Sequence, residues 1–267
     1  MVAAINFKTD QELAAMRRSG QIVGQILAEL RTLVRPGVKT RDLDAYAETR
    51  AGEMGAEPAF KGYRGYPASL CTSVNEEIIH GIPSDRVLRE GDIVGLDFGI
   101  LFQGFYGDAA VTCPVGRVDS RADALIEASE AAFFKGLEQL REDKRISDIS
   151  HAIQACVESQ GFSVIRDFVG HGIGRALHEE PQIPNFGTPG HGPKIRAGLV
   201  LAIEPMIAAG RPGAEVLRDG WTACTRDRSL AAHFEHTVAL TEAGPEILSL
   251  PVLTDVPRAR LEEKTYA

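Results

Sequence analysis

The sequence predicts a pseudo-two-fold α/β fold, and three observations carry that prediction. Apolar residues recur with helical spacing near the start of the chain and again in its middle. Near-continuous apolar runs elsewhere read as buried strands. The third observation is an internal echo. "REGDIVGLDFG" and "IRAGLVLAIEP" each place a basic residue, a glycine, an apolar strand and then an acid six residues past that glycine. "GDAAVTC" and "FEHTVAL" echo each other in the same order, with an acid at or near the head of a β-branched strand. Each half would thus supply a strand pair bearing two carboxylates.

Taken in order, "TDQELAAMRRSGQIVGQILAELRTLV" opens on a capping box, with Thr9 and Glu12 three residues apart. Leu13, Met16, Val23, Ile26, Leu27 and Leu30 then mark the buried face of a helix that "RPG" stops. A second helix is expected from Arg41 to Met54, ending at Gly55. An aromatic, glycine-rich loop, "FKGYRGYP", leads to a short strand, "LCTSVN". "DIVGLDFGI" and "GDAAVTCPV" read as a hairpin closed by "LFQG"; a turn centred on Phe102 and Gln103 sets Asp97 directly opposite Asp108. Two further helices are expected at 121–141 and 147–160. The tract from 168 to 193 holds so much Gly and Pro that it reads as loop throughout. "AGLVLAIEPMIAA" reads as one buried strand and "HFEHTVAL" as another. With no low-complexity linker in view, residues 1–250 are expected to form a single compact domain, and 251–267 a polar, poorly packed tail.

Bulk properties narrow the function. A chain of 267 residues buries a large core. Its net charge of −8 argues against nucleic-acid binding through a basic surface. No run reaches the roughly 18 apolar residues of a membrane span, and the first residues lack a signal peptide's basic flank and apolar stretch. Cys71, Cys113, Cys156 and Cys224 are scattered without a CxxC pair, as suits reduced thiols in the cytoplasm.

Asp97, Asp108, Glu204 and Glu235 all sit in or beside apolar strands, and His171 lies in the glycine-rich tract. Carboxylates paired across a ladder stand about 4.5–5.5 Å apart at Cβ, so burial demands a shared proton or a cation between them. Four carboxylates with one imidazole form a mostly hard donor set. That set suits a pair of divalent ions such as Mn²⁺, Fe²⁺ or Co²⁺ better than a thiolate zinc site, with Zn²⁺ a further candidate. Two such ions about 3.5–4 Å apart make a hydrolytic arrangement. Cys71 lies near His80 in sequence, but nothing suggests the acid or amide that a cysteine nucleophile needs.

The segments "LDFGILFQGFYGDAAVT", "GHGIGRALHEEP", "AIEPM" and "FEHTVAL" resemble the successive metal-site motifs of type I methionine aminopeptidases, and "GYRGYPASLCTSVNEEIIHGIP" resembles that family's pocket segment. The resemblance runs from the first helix to about residue 250. It implies the α+β pita-bread fold, a curved antiparallel sheet with helices on its outer face. By that resemblance Asp97, Asp108 and Glu235 bridge or clamp two metals; His171 and Glu204 complete the second site, and Glu204 helps deprotonate the bridging water. His80 would bond the substrate near the scissile amide, and His178 would contact its carbonyl. Phe60, Tyr63, Tyr66, Cys71, Leu177 and Trp221 would line the methionine pocket. Leu177 stands where many relatives carry Phe, which widens the pocket modestly. His151, His191, His233 and His236 have no comparable support, and His236 points away from the face that Glu235 uses.

The resemblance further implies removal of the initiator methionine from nascent proteins with a small second residue. The expected partners are methionine-headed peptides and nascent chains, with the ribosome as a candidate; a monomer is expected, with no membrane partner. X-Pro enzymes of the same fold carry an extra N-terminal domain, for which the 96 residues before Asp97 leave no room. Type II methionine enzymes need a helical insertion between Asp108 and Glu235, and eukaryotic type I forms an N-terminal Cys/His module; neither is seen.

Overall fold

Helix α1 (Asp10–Leu33) begins at Thr9, whose side chain accepts from the Glu12 amide while Glu12 reaches back to the Thr9 amide. In the computed structural model, which describes residues 4–251, all six apolar positions expected on its inner face are buried. Ser19, Gly20 and Gly24 are buried on the same helix, and the glycines are there for contact. A Cβ on Gly20 or Gly24 would collide with the backbone of Leu248–Pro251, which crosses the helix at that point. α2 (Thr40–Glu53) is tied to α1 by Arg50, which bonds both oxygens of Glu29 at 2.7 and 3.0 Å.

After α2 come β1 (Glu57–Pro58), β2 (Cys71–Val74), β3 (Glu77–Ile79), β4 (Ile93–Phe102) and β5 (Phe105–Pro114). Helices α3 (Ser120–Leu137) and α4 (Ile146–Ser159) follow, then β6 (Ser163–Val164), β7 (Val169–Gly172), β8 (Glu179–Pro184) and β9 (Val200–Ile203). The last strands are β10 (Met206–Ala208), β11 (Ala214–Val216), β12 (Ala223–Thr225), β13 (Ala231–His233), β14 (Glu235–Thr241) and β15 (Gly244–Ile247). The main sheet runs β1-β4-β5-β14-β9-β7-β8, with β2 on β4 and β15 on β14. Its centre mirrors the echo in the sequence: the hairpin β4–β5 meets the pair β14–β9 at the β5–β14 junction. Leu96, Phe98 and Ile100 on one face of β4 join Val23, Ile26, Phe133 and Ile153 from the helices in the main core. The opposite face, with Asp97, is left for the site.

Five expectations change, one being that "HFEHTVAL" is not a single strand but is broken at Phe234 between β13 and β14. The hairpin turn is Gln103–Gly104, with φ of 50° and 82°, a two-residue loop that needs both residues left-handed. Phe102 therefore pairs with Phe105, Asp97 with Ala110 and Gly99 with Asp108. The two aspartates are diagonal neighbours on one face, not directly opposed. The tract 168–193 is not loop throughout, since β7 and β8 lie in it. Its glycines serve close backbone approach: a Cβ on Gly170 would lie 2.5 Å from the Ala202 carbonyl, and one on Gly172 would collide with Glu180. "AGLVLAIEPMIAA" is two strands in different sheets, β9 and β10, parted at Glu204–Pro205 because proline cannot donate to a ladder. α3 ends at Leu137 instead of reaching 141, as short turns at Gln139 and Leu140 carry the buried Leu140 into the core. All but the first residue of the expected C-terminal tail lies outside the described residues.

Candidate active site

The sheet brings the predicted acids together by register. Asp97 on β4, Ala110 on β5 and Glu235 on β14 form one row across three strands. Paired residues share a face, and the small Ala110 leaves room between the two carboxylates. Asp108 stands two residues along β5 on that face. His171 enters from β7, paired with Ala202 of β9, and Glu204 follows directly after β9. Asn185 donates to the Glu204 carbonyl at 3.0 Å and fixes the chain where the strand breaks.

All five side chains are buried and line one cavity of about 270 Å³. Asp108, His171 and Glu235 each offer a donor atom, and these lie within 4.8 Å of one another. His171 Nε2 stands 3.5 Å from Glu204 Oε1. The His171 Nδ1 lies 2.9 Å from the Gly172 carbonyl, which only accepts, so Nδ1 carries the proton and the Nε2 lone pair faces the acids.

Taken alone, these groups oppose one another. Burial pushes the Asp97 carboxyl up to about 7; burial and neighbouring acids push Asp108, Glu204 and Glu235 well above the carboxylate range. Asp97 Oδ1, Asp108 Oδ1 and Glu235 Oε1 are buried without a hydrogen-bond partner. Unpaired buried oxygens beside an imidazole lone pair form a donor set that a divalent cation completes.

The other predicted site residues surround the same cavity. Phe60, Tyr63, Tyr66, Cys71, Leu177 and Trp221 all line the cavity, as do His80 and His178. Tyr66 donates to the Gly81 carbonyl at 3.0 Å and meets Trp221 edge-on, with ring centroids 5.1 Å apart. His80 sits at φ 59°, in the left-handed region, where a non-glycine residue costs about 1–3 kcal/mol. Gly81 sustains that turn, because a Cβ there would collide with the Thr72 carbonyl. His178 shares a 3.0 Å hydrogen bond between its Nδ1 and the Tyr63 hydroxyl, and the rings stack at 5.4 Å. Burial first, then the nearby Arg64 charge, lowers the His178 pKa to about 4. The Cys71 thiol is raised by burial and by Asp97, so it stays neutral and does not suit a nucleophile. His151 and His191 bond loop carbonyls at the surface, and His236 packs on Phe133 and Phe234, away from the cavity.

Sequence reasoning missed His233. Its Nε2 lies 3.8 Å from Glu204 Oε2 and 3.8 Å from Glu235 Oε2. Its two-residue spacing from Glu235 was no signal, because the chain breaks at Phe234 between β13 and β14, which lie in different sheets. Arg64, Asp167 and Phe168 also reach the cavity, from loops that carry no periodicity to read.

Fold and donor set together define a metal-dependent hydrolase. A family model described as "Metallopeptidase family M24" matches residues 14–242. The chain is 52% identical over 246 residues to a methionine aminopeptidase of Clostridium perfringens, covering 92% of this chain and 99% of that one. It is 48% identical over 242 residues to methionine aminopeptidase 1 of Bacillus subtilis, covering 91% of this chain and 98% of that one. A crystal structure of methionine aminopeptidase from Thermotoga maritima superposes with a TM-score of 0.91 at 47% identity, covering 92% of this chain and all of the other. A prolidase from Pyrococcus furiosus, 21% identical with a TM-score of 0.75, shares the fold; the match covers 94% of this chain and 66% of that one. The chain belongs to metallopeptidase family M24 and, within it, to the type I methionine aminopeptidases of pita-bread fold.

Proposed function

We infer that this protein hydrolyses the first peptide bond of methionine-headed peptides and nascent chains with a small second residue. Two divalent ions, of Mn²⁺, Fe²⁺, Co²⁺ or Zn²⁺, would be held by Asp97, Asp108, His171, Glu204 and Glu235. The observation that carries the reading is the convergence of these five buried side chains, from both halves of the fold, on one cavity. Ions bound there supply a water of lowered pKa and polarise the scissile carbonyl.

The protein's own groups do the rest. Glu204, at a strand end among other acids, accepts the proton that the water loses. His178 is oriented by Tyr63, so its free ring nitrogen serves the substrate carbonyl and the charge that develops there. His80, held neutral by burial, passes a proton towards the departing amide nitrogen. Tyr66, Trp221, Phe60 and Leu177 wall the pocket that takes the methionine side chain and excludes water. Residues 1–250 act as one catalytic unit, which we place in the cytoplasm as a monomer acting near the ribosome. No described helix is long and apolar enough to cross a membrane.

Asp97→Ala and Glu204→Ala test the assignment. Each is expected to lower kcat at least 100-fold with the far-ultraviolet circular dichroism unchanged. Either variant at wild-type activity removes that residue from the site.

A further inference from the structure

His233 is buried, and its Nε2 has no hydrogen-bond partner. The atom stands at 3.8 Å from an oxygen of Glu204 and at the same distance from an oxygen of Glu235. Both gaps exceed hydrogen-bond length by less than about 1 Å. Its backbone is fixed independently of the ring. The Thr112 hydroxyl accepts from the His233 amide and donates to the His233 carbonyl, both at 2.9 Å, and His233 pairs with Met206 across β10 and β13. Nε2 of the ring therefore faces two carboxylates, one just past the end of β9 and one at the head of β14.

We propose that His233 is a positioning residue of the metal centre, whose Nε2–H is the shared donor that orients Glu204 and Glu235 for metal binding. The proposal rests on the metal-site reading above. A neutral imidazole has one N–H; placed at Nε2, it faces Glu204 Oε2 and Glu235 Oε2, while Glu204 Oε1 lies 3.5 Å from His171. A carboxylate held by an outer donor loses less orientational freedom when it takes up a cation. Removing such outer partners typically weakens metal binding about 10–100-fold. The role is separate from that of His171, whose Nδ1–H is spent on the Gly172 carbonyl and whose Nε2 is left as a lone pair. The two histidines thus face the acids with opposite chemistry, one as acceptor and one as donor.

The test is Mn²⁺ affinity, read from the electron paramagnetic resonance signal of free Mn²⁺ during titration of metal-stripped protein. His233→Phe keeps the bulk of the ring and removes the donor; His233→Gln keeps an N–H at similar reach. The phenylalanine variant is expected to bind Mn²⁺ about 10–100-fold more weakly, and the glutamine variant within about threefold of wild type. Equal affinity in all three proteins, or a folded glutamine variant as weak as the phenylalanine variant, overturns the donor role. Protein with ¹⁵N-labelled histidine adds a second readout: the ¹⁵N hyperfine coupling to Mn²⁺ should survive His233→Gln. Loss of a coupling in that variant makes His233 a direct ligand and overturns the proposal. Wild-type protein that retains no Mn²⁺ contradicts the metal-site reading itself, whereas tight wild-type binding with no effect of His233 contradicts this inference alone.

Discussion

Replacing Lys8 with methionine should loosen the turn that carries His178. Lys8 forms a buried ion pair with Glu179, with side-chain exposures of 5% and 7%. Its ammonium also donates to the Asn6 carbonyl at 3.0 Å. The other Glu179 oxygen accepts from the Arg175 amide at 2.8 Å and the Ala176 amide at 3.2 Å. Glu179 therefore ties the turn leading to Leu177 and His178 down to the N-terminal segment. A Cβ on Gly174 would collide with the Lys8 side chain, so the sequence leaves a path for the lysine. Burial opposes ionisation of Glu179, but Lys8 and the two amides hold its pKa below the ordinary value. Removing one partner of a buried pair costs about 3–5 kcal/mol. Two backbone donors stay on Glu179, so the lower end applies, about 3 kcal/mol, or roughly a hundredfold in the folding equilibrium. Urea unfolding of Lys8→Met measures it, and the double variant with Glu179→Gln should recover most of the loss because no charge is then left unpaired. A loss under about 1 kcal/mol in the single variant, or no recovery in the double, would refute the reasoning. In the folded single variant kcat should fall by more than Mn²⁺ affinity, since Glu179 pairs with Gly172 beside His171 but His171 is also paired with Ala202 of β9.

Two further outcomes are expected. Leu177→Phe should raise the preference for methionine over branched first residues, because Leu177 lines the cavity; as it also packs with Leu13 and Met16, the larger ring should cost about 1–3 kcal/mol. Competing peptide substrates measure the selectivity, and an unchanged ratio places Leu177 outside the pocket. Arg50 holds the Glu29 carboxyl down to about 2 against burial, with Gln25 and Tyr46 donating as well. A depressed carboxylate stabilises above its unfolded value of 4.5 and loses that contribution as the pH falls from there towards 2. Arg50→Met should therefore cost about 1 kcal/mol at pH 7, after solvent screening, and almost nothing near pH 2; a pH-independent difference in urea titrations would contradict this.

What the sequence reveals of the fold follows from where local physics decides. The capping box at Thr9 and Glu12 starts α1 as read, and the internal echo appears as two strand pairs meeting at the centre of one sheet. Errors arise where glycine has two meanings. Gly104 sits second in a two-residue turn, and reading the turn one place off sets Asp108 directly opposite Asp97 when it is in fact diagonal to it. Gly170 and Gly172 look like loop but sit in a strand, because neighbouring backbone comes too near for any Cβ. The four acid positions were legible because carboxylates stand out in apolar strands, whereas His171 lay in a tract read as loop and stood out only as a histidine within it. His233 was not legible, since its orientation depends on the kink between β13 and β14, which periodicity does not show.

The most direct test of the central claim is free methionine released from a Met-Ala-Ser peptide by metal-stripped protein, before and after adding Mn²⁺, Fe²⁺, Co²⁺ or Zn²⁺, with an Ala-Pro-Ala peptide in parallel. Metal-dependent release of methionine, with the proline peptide intact, is the predicted result. Cleavage of the proline peptide alone, or methionine release that continues without metal, would contradict it.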